Sequence, residues 1–295
     1  MGEKIKMEKI LIIGSKGMAG HIIKEYLLSK KYDVYSTFRK SENGNQLEEK
    51  EFYLDVFDKE SLNSILEEVK PKFVINCVGV LNQFAEENPD IAIYVNGYFP
   101  HYLDRLSKKY NYKLIHITTD CVFSGKKGGY VEEDFRDAES YYGRSKAIGE
   151  INNDRSLTFR TSIIGPDINK NGIGLFNWFM KQKGEVNGYS NVFWTGVTTL
   201  ELAKAIEASF SQEVTGLHHL VNNEKISKYK LLKLLKKYMK KNEIEIMEYE
   251  DYYSNKSLIR TKYEFDYKVK SYDEMLSELV EWIKLKNKLY SYNEG

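Results

Sequence analysis

Tyr142-Gly143-Arg144-Ser145-Lys146 sets a phenol and an ammonium four residues apart, hence on one face of a helix. Such a pair suits reduction of a ketone. The developing alkoxide needs a proton donor, and an isolated tyrosine with a pKa of about 10 is poorly matched to neutral pH. A neighbouring lysine, with the positive nicotinamide of an oxidised cofactor, stabilises tyrosinate and lowers that pKa. Lys146 can also hold the nicotinamide ribose. In a chain with 23 tyrosines this spacing arises readily by chance, so its meaning rests on upstream partners. His116-Ile117-Thr118-Thr119-Asp120-Cys121-Val122-Phe123 supplies hydroxyls that can donate to a substrate carbonyl; plain strand propensity is the alternative for both threonines.

Gly14-Ser15-Lys16-Gly17-Met18-Ala19-Gly20 offers a second chemistry. One glycine allows a tight strand-to-helix turn and another lets the backbone approach a pyrophosphate, which the free N–H groups and positive end of the helix favour. Gly14, Ser15, Lys16, Gly17 and Met18 are therefore expected cofactor contacts. The next strand ends Ser36-Thr37-Phe38-Arg39-Lys40, with no acid before Glu42. An acid there would accept from a ribose 2′-hydroxyl, whereas Arg39 welcomes a 2′-phosphate, so NADPH is favoured and NADH stays open. Asp55 could accept from the adenine amino group, with Val56 beside it, or could simply begin a turn.

These groups need a scaffold, and the pattern predicts one. Short apolar runs alternate with helical periodicity: strands at Lys9–Ile13, Asp33–Thr37, Glu51–Leu54, Phe73–Cys77, Lys113–Thr118 and Leu157–Ile163 are separated by helices. That is an α/β chain with a Rossmann doubly wound parallel sheet, whose ligands bind at the C-terminal strand ends. After Gly165 the chain breaks into glycine-punctuated pieces and the amphipathic helices Thr199–Phe210 and Lys228–Lys241. Residues 7–165 are expected to form the NAD(P)-binding domain and 166–295 mainly a smaller substrate-binding α/β region, with segments free to interleave. Leucines at helical spacing make the lysine-rich 228–241 run a solvated face.

The 295 residues carry 44 basic and 43 acidic side chains, 42% hydrophobic residues and two cysteines. Near-neutral charge removes the usual argument for nucleic acid or an anionic membrane, and two cysteines exclude a disulfide framework. No apolar run is long enough to span a bilayer. Met1–Lys6 is charged and lacks a secretory apolar stretch, so a cytoplasmic enzyme is expected. Cys77 and Cys121 read as small buried side chains, and His218-His219 as strand neighbours without a third metal ligand, so no metal is assigned. Phe193-Trp194 could stack on a base or sugar, or pack in the core. Tyr249, Tyr252 and Tyr253 stand near the candidate substrate segment.

Four ordered motifs, Gly-x-x-Gly-x-x-Gly, Thr-Thr-Asp-x-Val-Phe-x-Gly, Gly-x-Tyr-x-Glu-x-Asp and Tyr-Gly-x-Ser-Lys, resemble the extended short-chain dehydrogenases/reductases. Within them the chain is most similar to dTDP-4-dehydrorhamnose reductases and related nucleotide-sugar 4-keto reductases. The resemblance implies Thr119 as catalytic hydroxyl, Tyr142 as acid/base and Lys146 as its partner. It implies Cys77, Val78 and Gly79 along the cofactor, Asn96 in structural hydrogen bonding near the active-site lysine, and Phe159–Ser162 near nicotinamide and substrate. Thr119, Asp120, Trp194 and Asn255 are the expected substrate contacts. Ala138 and Val197 stand where the family usually has proline, and no acidic cluster carries over the Mg²⁺ of some members. The implied activity is NADPH-dependent reduction of the C4 ketone of a nucleotide-linked 4-keto-6-deoxyhexose in deoxysugar or polysaccharide biosynthesis, with a homodimer left open. The alternatives are an epimerase or dehydratase of the same superfamily, or a non-catalytic regulatory subunit like that of methionine adenosyltransferase.

Overall fold

In the computed structural model, which describes residues 8–40, 47–290 and 292, the run Lys9–Ile13 (β1) is buried from both sides. Ile10 and Ile12 face one hydrophobic cluster, while Leu11 and Ile13 face another. This is the double burial expected of a parallel strand covered by helices on both faces. Glu42 and Met1–Lys6 lie outside the described residues.

β2 (Asp33–Phe38), β3 (Glu51–Tyr53), β4 (Phe73–Asn76), β5 (Lys113–Thr119), β6 (Leu157–Thr161) and β7 (Gly216–His219) complete a parallel sheet ordered β7-β6-β5-β4-β1-β2-β3. The chain reverses direction across the sheet between β1 and β4, so the crevice at their C-terminal ends is the natural ligand site. One face is covered by α1 (Met18–Ser29), the other by α2 (Lys59–Val69) and α3 (Phe99–Tyr110). α4 (Tyr141–Ile148) carries the tyrosine–lysine pair. Among the described residues no helix is long and apolar enough to cross a membrane.

Three expected boundaries shift for physical reasons. The helical stretch before Tyr110 is irregular: Pro89–Ala92 runs into a widened π turn at Ile93–Tyr98 before α3 begins. The sixth strand stops at Thr161, and Ile163–Ile164 pairs instead with Val197–Thr198. The seventh strand comes from beyond Gly165, pairing Gly216–His219 with Leu157–Arg160. The later region also lends α5 (Thr199–Ser209), whose apolar side joins the cluster containing α1. In α6 (Lys228–Met239), Leu231, Leu232 and Leu235 point inward among outward lysines. α7 (Tyr272–Leu285) packs in the same core, anchored by a Ser271–Glu274 capping box. A small sheet orders Ile226–Ser227, Val192–Trp194 and Ser254–Asn255 side by side.

A buried polar network ties these pieces together. Arg160, on β6, is fully buried and donates to both Glu150 oxygens at 2.7 and 2.5 Å. Arg136 adds a bond to the same carboxylate at 2.8 Å. Burial and then Arg160 hold His219 down to about 4, so its neutral Nε2 accepts from Arg160 at 2.8 Å and its Nδ1–H donates to the Ile259 carbonyl. Glu132 of the Gly-x-Tyr-x-Glu-x-Asp motif accepts from the His219 and Thr261 amides. The guanidinium expected near nicotinamide and substrate is thus committed to the scaffold. Arg160→Ala leaves a buried carboxylate short of a partner and is expected to cost about 3–5 kcal/mol. Urea unfolding measures it, and an unchanged midpoint would contradict the role.

Candidate active site

The glycine loop closes against the end of β4. Gly14 has φ +88°, a left-handed conformation that a side chain would strain, and an added Cβ would lie 2.9 Å from a Val78 methyl. The Thr37 carbonyl at the end of β2 gathers the Gly14 and Ser15 amides at 3.1 and 2.9 Å and the Ser15 hydroxyl at 3.1 Å. The loop is thereby fixed from both neighbouring strands. Gly17 begins α1 with no side-chain cap, leaving the first-turn N–H groups without a side-chain partner. Lys16 lies flat over Phe38, its ammonium 3.4 Å from the ring centre, and burial lowers its pKa. A glycine cradle at an uncapped helix start fits a pyrophosphate.

The proton-transfer residues converge from β5 and α4. Thr118 and Thr119 point to opposite faces, as neighbours on a strand must. Thr118 donates to the buried Glu150, whereas Thr119 caps the short turn Asp120–Val122 by accepting from the Cys121 amide. The two hydroxyls thus have different partners. The Thr119 hydroxyl donates to Asp120 at 3.1 Å and also bears on the Tyr142 phenol, favouring its ionised form. Lys146 is 6% exposed and donates to the Ile117 carbonyl at 2.9 Å. α4 approaches β5 closely because position 143 is glycine: an added Cβ there would lie 2.3 Å from the Cys121 carbonyl.

Burial dominates the electrostatics. It raises the Tyr142 pKa above the ordinary phenol value, with Cys121 adding to the rise and Thr119 opposing it. The spacing predicted the reverse; the lysine's pull is not among the main influences, since its ammonium is turned to Ile117. Desolvation brings Lys146 down to about 8, against the upward pull of Glu150 and Cys77. Cys77 is pushed up to about 12 and Cys121 to about 11, so both thiols stay protonated. Asp120 is raised by burial, countered by Lys256 and Lys228.

Gly14 to Met18, Cys77 to Gly79, Lys146, Tyr142, Thr119 and Asp120 thus lie near one another at the C-terminal ends of β1, β4 and β5. Arg39 is exposed just past β2. Asp55 accepts from the Phe57 amide at 3.0 Å, the turn role weighed above, and Val56 packs its side chain in the core beside Leu54. Two of the expected substrate contacts have packing partners of their own. Trp194 is 4% exposed and stacks tilted on Tyr272, so its ring fills the core. The Asn255 carbonyl oxygen accepts from the Ser257 amide and hydroxyl, and its side chain fills the space beside Gly128, locking a loop. Tyr249 and Tyr252 meet Tyr189 edge-on, at an exposed position.

Three contributors escaped sequence reasoning. Glu86 accepts from the Tyr141 and Tyr142 amides at 3.2 and 3.1 Å, placing a carboxylate at the positive end of α4. Only the tertiary fold brings it there from so far upstream. Ser140, which caps Gly143, was legible as a serine one position before the helix. Ser145 donates to the Tyr142 carbonyl and accepts from Asn96, so the expected link from Asn96 to the lysine runs through its neighbour.

The RmlD substrate binding domain model matches residues 7–265. The spore coat polysaccharide biosynthesis protein SpsK of Bacillus subtilis is 26% identical over 74% of each chain. A dTDP-4-dehydrorhamnose reductase of Aggregatibacter actinomycetemcomitans is 31% identical over 53% of this chain and 51% of its own length. In fold, the chain is similar to the dTDP-4-dehydrorhamnose reductase of Bacillus anthracis determined with NADP, at TM-score 0.78 and 20% identity, covering 94% and 99% of the two chains. With a family model spanning most of its length, the chain belongs to the RmlD substrate binding domain family.

Proposed function

We propose that this chain reduces the C4 ketone of a nucleotide-linked 4-keto-6-deoxyhexose with NADPH. The convergence of Thr119, Tyr142 and Lys146 beside the uncapped glycine loop carries the reading, and the names of the relatives support it. Residues 166–295 supply mainly the substrate side, apart from β7 and α5. When bound, NADPH supplies a hydride to the carbonyl carbon. Tyr142 delivers its proton to the carbonyl oxygen; a pKa raised by burial keeps that proton in place through neutral pH. The Thr119 hydroxyl turns from Asp120 to orient the oxygen. Lys146, charged below about pH 8, holds the nicotinamide ribose and, on turning from the Ile117 carbonyl, stabilises the phenolate left behind. Arg39, exposed just past β2, meets the 2′-phosphate.

Mixing the protein with NADPH and dTDP-4-keto-6-deoxyglucose plus the 3,5-epimerase, and with UDP-, GDP- and CDP-linked ketosugars, should consume NADPH stoichiometrically at 340 nm with one of them. No consumption with any, or product formed without net NADPH loss, would refute reduction. Tyr142→Phe should lower kcat by roughly 10²–10⁴-fold, the usual weight of general acid catalysis. A variant as active as wild type would favour a non-catalytic role. Because Lys146 is lowered to about 8, kcat/KM for reduction should be level at neutral pH and fall as pH rises through about 8. Lys146→Met should be slow throughout and lack that limb; a wild-type profile level to pH 10 would contradict the assignment. Arg39→Ala should raise KM for NADPH and leave that for NADH unchanged, and an intact NADPH preference would remove Arg39 from the site.

A further inference from the structure

Two lysines of α6 meet partners at the surface. Lys233 bonds the Tyr229 hydroxyl and Lys237 pairs with Asp273, both at the exposed surface. Lys228 is only partly exposed, and among the described residues no carboxylate lies within ion-pair distance of it. Its ammonium stands 5.2 Å from the centre of the buried Trp194 ring, a contact that holds it without neutralising it. Burial lowers its pKa, while Asp120 and Cys121 draw it back up.

Lys256 acts on the same two residues from another side. Both lysines directly follow strands of the small sheet: Lys228 follows Ile226–Ser227, and Lys256 follows Ser254–Asn255. That sheet is pinned to the loop after Asp120 by the bond from the Asn255 amide to the Gly125 carbonyl at 2.8 Å. The loop that carries Asp120, which accepts from the Thr119 hydroxyl, is thus bonded to the sheet from which both lysines leave. Lys228, partly buried and without a carboxylate partner among the described residues, favours an anionic ligand over a neutral one.

Resting on the nucleotide-sugar reading above, we propose that Lys228, supported by Lys256, is a positioning residue that grips the diphosphate of the substrate and makes the site prefer that anion over the neutral nucleoside. Lys228 takes no part in proton transfer; it fixes how far the sugar reaches toward Thr119 and Tyr142.

Calorimetric titration of the full chain with saturating NADPH tests this, using dTDP, UDP, GDP and CDP and their parent nucleosides as probes. For the nucleoside diphosphate that wild type binds, K228M should weaken binding roughly 10-fold or more, the weight of one charge-assisted contact. The parent nucleoside should bind both proteins equally, K228R should restore most of the loss, and K233M, on the exposed face, should match wild type. NADPH affinity should be unchanged throughout; if K228M has lost it, K256M carries the same comparison. Equal diphosphate affinity in wild type and K228M, or equal weakening of nucleoside and diphosphate, overturns the role of Lys228 and leaves the nucleotide-sugar reading standing. If wild type binds none of the diphosphates, both fall together.

Discussion

Asn96 is fully buried and commits its whole carboxamide to the two walls of the cleft. Its oxygen accepts from the Val80 amide at 3.0 Å, and its nitrogen donates to the Val80 carbonyl at 3.0 Å and the Ser145 hydroxyl at 3.1 Å. Ser145 passes the connection on to the Tyr142 carbonyl. The segment after β4, where the cofactor wall begins, is thus spaced against the helix that carries the tyrosine and the lysine. The residue sits in the widened turn Ile93–Tyr98, a distortion of the kind that recurs at functional sites. Loss of the carboxamide would leave buried donors and acceptors unpaired on both walls, so the arrangement is held as a unit.

Within that frame, desolvation decides the protonation states. It keeps Tyr142 a loaded acid, keeps both cysteines as thiols and brings Lys146 close to neutrality without crossing it at pH 7. A reductase requires this order of events, since its acid must still hold a proton when the alkoxide forms. Asp120 accepts from the Thr119 hydroxyl, and Lys256 and Lys228 oppose the rise of its pKa by burial. Charge in the cleft is therefore set by a few groups at its rim, which is how a chain with nearly balanced net charge can still bind small anions.

Where local pattern and tertiary demand agreed, the residues were readable. β1, the glycine loop and the helix with Tyr142 and Lys146 announce themselves through apolar runs, special backbone needs and helical spacing. Trp194 was not decidable, because an aromatic before a glycine looks the same whether it meets a sugar or Tyr272. The Arg160 network joins five segments, around residues 132, 150, 160, 219 and 261, and no spacing rule relates them. Glu86 was hidden for the same reason. Lys228 was obscured by its own neighbours: in a helix full of lysines the amphipathic pattern assigns all of them to solvent, and only the packing of Trp194 distinguishes one. The direction of the Tyr142 shift was missed because burial, which a sequence does not display, outweighs the neighbouring charge.

The central claim is a division of labour at one carbonyl, with hydride reaching the carbon from the nicotinamide side and a proton reaching the oxygen from Tyr142. The most direct test is a turnover of the ketosugar substrate with NADPH deuterated at nicotinamide C4 in ordinary water, followed by NMR of the product. Deuterium at sugar C4, matched mole for mole by NADPH consumed, is the predicted result. Product with only protium at C4, or deuterium cycling back into the cofactor without net oxidation, would contradict it.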